Sequence, residues 1–92
     1  MDNVELFQDP KISVSSSNVK TGDELNITCK VVVRKSGTEP AYKILDHNGN
    51  VISERSQITI NPVQSTNIGS YKCVFSANGV DKESNTATVI GM

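Results

Sequence analysis

Hydrophobic and polar residues alternate in short runs along this chain, and each run ends at a cluster of turn-forming residues. The clearest run is 25–33. Leu25, Ile27, Cys29, Val31 and Val33 fall on one face, and Asn26, Thr28 and Lys30 on the other. Successive side chains of an extended strand point to opposite sides, so this run predicts a strand with one face in a core. The same period predicts six more strands. The first covers Lys11–Ser17. The third, Ala41–Leu45, turns Tyr42 and Ile44 inward, and the fourth is Val51–Ser53. The fifth, Gln57–Asn61, turns Ile58 and Ile60 inward, and the sixth, Ser70–Ala77, turns in Tyr71, Cys73 and Phe75. The seventh, Ser84–Ile90, turns in Ala87 and Val89.

Turn chemistry separates these runs. Lys20–Glu24 is polar and Lys35–Pro40 reads as a loop. Asn48-Gly49 and Asn78-Gly79 are hairpin signals, because a type I′ turn needs positive φ at both central residues. No helical periodicity lasts beyond two turns, and there is no internal repeat or low-complexity segment. An all-β domain of seven short strands follows, spaced as a two-sheet sandwich requires.

Length and charge narrow the picture. The 92 residues suffice for one small domain. A chain of this size buries about two thirds of the surface its unfolded form exposes, so a covalent staple would help it. Residues 1–10, closed by Asp9-Pro10, read as a linker or lead-in from a preceding domain, and residues 11–92 as the domain itself. Met1–Glu5 lacks the basic start and apolar stretch of a signal peptide. Together with the abrupt end at Ile90-Gly91-Met92 it suggests a piece excised from a longer protein. A transcript encoding only these residues would contradict that reading.

Nine basic residues stand against ten acidic ones, for a net charge of −1. That balance gives no basic footprint for nucleic acid, and no run of like charge suggests a membrane-surface patch. Apolar stretches reach only three residues, as at Val31–Val33, far short of the roughly 20 a membrane span needs. No direct membrane contact by this domain is therefore expected.

Candidate chemistry is sparse. His47 is the only histidine and sits in a turn, where a solvated role is the ordinary one. No His, Cys, Asp or Glu cluster has metal-ligand spacing, and no nucleophile–base–orienter set can be assembled. Neither an enzyme nor a cofactor is expected. Asn26-Ile27-Thr28 is an N-glycosylation sequon whose Asn lies on the outward face of its strand. The two cysteines form either one disulfide in an oxidising compartment or two buried thiols.

The most specific pattern is Ile58-x-Ile60-x-x-Val63, followed by Asn67-x-Gly69-x-Tyr71-x-Cys73. Val63 would cap the bottom of the core, and Gly69 would let the chain turn into the next strand. Tyr71, two residues before Cys73, is placed to form a tyrosine corner. With Cys29 before it, this pattern resembles the immunoglobulin superfamily over essentially the whole chain. The resemblance implies an immunoglobulin-like Greek-key sandwich with one inter-sheet disulfide, Cys29–Cys73.

Two departures mark a divergent member. Tyr42, thirteen residues after Cys29, stands where the family usually carries Trp, and Asn67 stands where it usually carries Asp. The missing carboxylate removes a salt bridge that many members make. The 44-residue separation of the cysteines is short for a variable-type domain and implies a C2- or I-like subtype. In that arrangement the first, second and fifth strands form one sheet and the rest the other. The lead-in Glu5-Leu6-Phe7-Gln8-Asp9-Pro10, the run Leu25–Cys29 and the Trp-less third strand are similar to the Fc receptor-like and platelet–endothelial cell adhesion molecule group.

The resemblance implies an extracellular module, part of the ectodomain of a membrane-anchored receptor or adhesion protein. Such a module recognises another cell-surface or extracellular protein, homophilic binding included, or spaces its neighbours. A structural domain of an intracellular muscle-type filament, with reduced thiols, is the alternative. For recognition the candidate residues are Lys43, Leu45, Lys72 and Val74. They are expected on an outward sheet face, with Leu45 and Val74 as an exposed apolar pair flanked by lysines.

Overall fold

The computed structural model describes residues 8–32, 40–77 and 79–91. Among the described residues, nine strands form two sheets. They are β1 (Lys11–Val14), β2 (Asn18–Val19), β3 (Leu25–Lys30), β4 (Ala41–Leu45), β5 (Val51–Ser53), β6 (Gln57–Ile60), β7 (Gly69–Ala77), β8 (Val80–Glu83) and β9 (Ala87–Gly91). One sheet runs β1-β3-β6, all antiparallel. The other runs β2-β9-β7-β4-β5, with β8 also paired to β7. This is the layering expected of a C2- or I-like domain.

The alternating residues build the core. Leu25, Ile27 and Cys29 of β3 are buried, as are Tyr71, Cys73 and Phe75 of β7, Ile44 of β4 and Val89 of β9. Val63 closes the lower end, its N–H donating to Asp23 O and its carbonyl accepting from Gly22 N–H. Ile58 and Ile60 pack against this core while keeping some exposure.

Two expected strands are split. The first strand does not run unbroken from Lys11 to Ser17. It leaves the β3 sheet after Val14, bends at Ser15–Ser17, and joins the other sheet as β2, parallel to β9. The Ser16 hydroxyl bonds Asn18 O, and Ile90 N–H donates to Ser17 O, so side-chain and cross-strand bonds take over where the ladder stops. Val19 is buried as a result. The seventh strand likewise is not continuous over 84–90. It begins as β8 at Val80, breaks at 84–86 and resumes as β9.

At that second break, side chains replace ladder bonds. Ser84 Oγ accepts from Cys73 N–H, and Ser84 N–H donates to Cys73 O. The Asn85 amide accepts from Ile12 N–H and donates to Ile12 O, tying β1 to the opposite sheet.

Other boundaries also move. The long run ends as a strand at Lys30. Val31 is half-buried and Val32 is 59% exposed, because Val32 O turns to accept from Gln8 N–H; Val33 lies outside the described residues. The fifth strand stops at Ile60, before a cis Asn61–Pro62 bond. Pro10 is fully buried and Asp9 pairs with Lys82 at 3.8 Å, so residues 8–10 pack on the sandwich. Asn78 and most of the loop 35–40 lie outside the described residues. Gly79, at φ +77°, still shows the tight turn expected between Ala77 and Val80, which pair directly.

Candidate functional site

The β4–β7 pairing fixes the outward face of the larger sheet. Ile44 opposes Cys73 inward, so the residues on either side face out. Lys43 stands directly opposite Val74, and Leu45 directly opposite Lys72. Leu45 and Val74 are therefore diagonal neighbours, within reach of each other across the ladder. The four candidate residues form one checkerboard of two apolar and two cationic side chains.

Leu45 and Val74 are half-buried rather than fully exposed. Lysine stems lie along apolar neighbours while their ammonium groups stay in water, and each apolar residue here sits opposite such a stem. Lys72 Nζ also reaches Glu83 on β8 at 3.4 Å, beside Val74. Exposed ion pairs of this kind contribute little to stability. Lys43 has no ion-pair partner among the described residues.

A third apolar residue joins the patch. Val51 of β5 is 48% exposed and lies opposite Leu45. Sequence alternation missed it because a bulge intervenes: Ile44 pairs with Ser53, but Leu45 pairs with Val51, skipping Ile52. Ile52 packs toward the core instead. The only hint in the sequence is the Asn-Gly turn just before it, since turns often bring irregular pairing.

Below the patch, Asp46, His47, Ser70, Lys72 and Thr86 line an open cleft of about 500 Å³. Asp46 Oδ1 accepts from the N–H groups of Asn48 and Asn50, each at 2.9 Å, which shapes the β4–β5 turn. The Asn50 bond above all, then the Asn48 bond and nearby His47, hold the Asp46 carboxyl below its ordinary range against a partial burial effect. His47 is solvent-exposed, but its ring edge lies over Gly69. A Cβ at Gly69 would stand 2.6 Å from Nδ1 of the exposed His47 ring, which would have to swing aside, and φ +145° is what favours glycine here. Among the described residues, no group of three His, Cys, Asp or Glu can hold a metal ion.

Behind this face, Cys29 and Cys73 are bonded with their Cα atoms 6.3 Å apart. Tyr42, in the position of the usual Trp, meets Phe75 edge to face with ring centroids 4.9 Å apart. The Tyr71 hydroxyl donates to Asn67 O, completing a tyrosine corner. The Asn67 amide does without the family's carboxylate: its Oδ1 accepts from Gln64 N–H at 2.8 Å.

Burial raises the Tyr71 phenol above its ordinary 10.0, helped by the negative charge of Asp46 and opposed by the Asn67 side-chain amide. The unfolded phenol therefore ionises first. The contribution of Tyr71 to stability is complete below pH 10 and is lost as pH rises through its folded value. Tyr71→Phe should cost about 1 kcal/mol at neutral pH through loss of the hydrogen bond. It should also flatten the alkaline decline, so that wild type and variant converge above pH 10. Urea midpoints at pH 7 and above pH 10 check this, and a gap that does not shrink would contradict it.

Asn26 projects from the other sheet. Its Oδ1 accepts from the Thr59 hydroxyl at 2.6 Å, and its strand neighbour Thr28 completes the sequon two residues on.

The comparisons with known proteins agree with this geometry. The immunoglobulin domain pattern matches residues 9–90. Platelet endothelial cell adhesion molecule of Bos taurus is 31% identical over 85 residues, which is 92% of this chain and 11% of that protein. The chain thus spans about a tenth of that relative's length. Among solved structures, murine CEACAM1b superposes with a TM-score of 0.74 at 21% identity, covering 92% of this chain and 45% of the other. A chain from the complex of a mouse coronavirus receptor-binding domain with its murine receptor superposes at 0.73 and 22% identity, with the same shares covered. At these identities the two structures speak for the fold.

Proposed function

The chain belongs to the immunoglobulin domain family, and from that premise we propose that it is an extracellular recognition module within a membrane-anchored receptor or adhesion protein. Residues 1–10 lead into the module and residues 11–92 form it. It binds another protein, a second copy of itself included, through the outward β4–β5–β7 face.

One observation carries this reading. Leu45, Val51 and Val74 gather on one sheet face among Lys43 and Lys72, Val51 exposed and Leu45 and Val74 half-buried. Apolar residues gathered with a polar rim mark interaction sites, whereas single exposed apolar residues do not. The opposite sheet presents mostly hydroxyls and amides outward. The similarity to a protein named as an adhesion molecule supports the same direction.

The test is a double variant. Leu45→Asp with Val74→Asp should weaken binding to the partner at least a hundredfold, since truncated or charged hot-spot positions cost 2 kcal/mol or more, roughly, at an interface centre. The melting temperature should shift little, because neither side chain is in the buried core. Undiminished affinity of a folded variant would exclude this face.

Asn26 carries a glycan in the native host on this account, where it would shield the Asn26–Thr59 end of the β1–β3–β6 sheet and leave the other sheet's face open. Glycosidase treatment of host-expressed protein should lower its mass; an unchanged mass would remove the glycan from the account.

A further inference from the structure

The β1–β3–β6 sheet carries a second surface feature. Lys11 of β1 stands directly opposite Lys30 of β3. On the far side of β3, Thr28 pairs with Gln57, and Cys29 N–H donates to Ser56 O at 2.7 Å. That bond carries the register one step past β6, to Ser56; Arg55 precedes it in the bend between β5 and β6, where its N–H donates to Ser53 Oγ. All three cations are exposed, and none has an ion-pair partner among the described residues. Strands lie about 4.8 Å apart, so the Lys11 and Lys30 backbones stand about 5 Å apart across the ladder.

Like charges directly opposite one another across a ladder are destabilising, so the fold gains nothing from Lys11 facing Lys30. The next row along the face is Ser13, Thr28 and Gln57, all neutral hydrogen-bonding groups. A cleft of about 580 Å³ at this end of the domain is lined by Lys11, Thr28, Lys30 and Ser56, among others. The acids close by are Asp9, which pairs with Lys82, and Glu54, next to Arg55 in the chain.

We infer that the Lys11–Lys30 pair, with Arg55 in the bend beside Ser56, is a binding site for a sulfated polysaccharide chain. The cations match sulfate and carboxylate groups spaced along the polymer, and the Ser13, Thr28 and Gln57 row meets its hydroxyls. Val32 also lines the cleft and is 59% exposed, but it is a single strongly exposed apolar side chain beside the cations and not an apolar patch. Asn26 lies four residues along β3 from Lys30, about 13 Å, so a glycan there leaves the cations accessible. This site is on the opposite sheet from the protein-binding face, so each can fail without the other.

The experiment uses immobilised heparin. The domain should be retained at low ionic strength and released as salt rises, because exposed charges are screened. Replacing all three residues (Lys11→Gln, Lys30→Gln, Arg55→Gln) should weaken binding about tenfold or more. Its melting temperature should stay level or rise, since the like-charge pair is gone. Lys43→Gln with Lys72→Gln, on the other sheet, should bind as wild type does. The inference is overturned by failure of wild type to bind heparin, or by a triple variant that binds undiminished. It is equally overturned if phosphatidylserine vesicles or a polyglutamate peptide bind as tightly as heparin.

Discussion

Replacing Cys29 and Cys73 together by alanine is expected to destabilise the domain by about 4 kcal/mol. The bond closes a loop with a sequence separation of 44, and on the chain-entropy account the open chain regains that much freedom when the link is lost. Small domains have about 5–15 kcal/mol in total, so a loss of this size is a large share of it. The sulfurs are buried at the centre of the core, so the alanines also leave a gap between the sheets. Dithiothreitol should act in the same direction on wild type and have no effect on the double variant. Urea unfolding with and without reductant measures both, and a wild-type midpoint that reductant does not move would contradict the prediction.

Phe75→Ala is expected to cost about 3–5 kcal/mol, the range for removing a buried aromatic ring. Phe75 is 1% exposed and meets Tyr42 at 4.9 Å, and this pair supplies the aromatic wall that a Trp on the third strand provides elsewhere in the family. Removing the ring forfeits both its burial and the edge-to-face contact, and Tyr42 has too little bulk to fill the space. Phe75→Leu keeps most of the apolar volume and should lose much less. The ordering wild type, Leu, Ala in urea midpoint is the expected result. Equal midpoints for the Leu and Ala variants would show that the ring is not part of a packed interior.

The parts of the fold legible in the sequence are those set by period-two alternation and by turn chemistry. Leu25, Ile27 and Cys29 on β3 and Tyr71, Cys73 and Phe75 on β7 alternate strictly, and all six are buried. Gly69 and Tyr71 are recognisable because a positive φ and a hydroxyl two residues before a cysteine have single structural uses. The splits at Ser15–Ser17 and at 84–86 were not legible. They depend on side chains of Ser16, Ser84 and Asn85 bonding the backbone of other strands, which hydrophobic period does not encode.

The candidate face was legible in part. Alternation placed Lys43, Leu45, Lys72 and Val74 on one side, but their partial cover comes from cross-strand register, and Val51 enters only through the bulge beside Leu45. The Lys11–Lys30 pairing is likewise a product of register between strands distant in sequence.

Peptide mapping of unreduced native protein tests the account at its centre. Digestion without reductant should yield one covalently joined fragment pair containing residues 29 and 73, and thiol titration of the unfolded, unreduced chain should find no free sulfhydryl. Two titratable thiols in freshly isolated native protein would contradict the account and favour an intracellular, reduced domain.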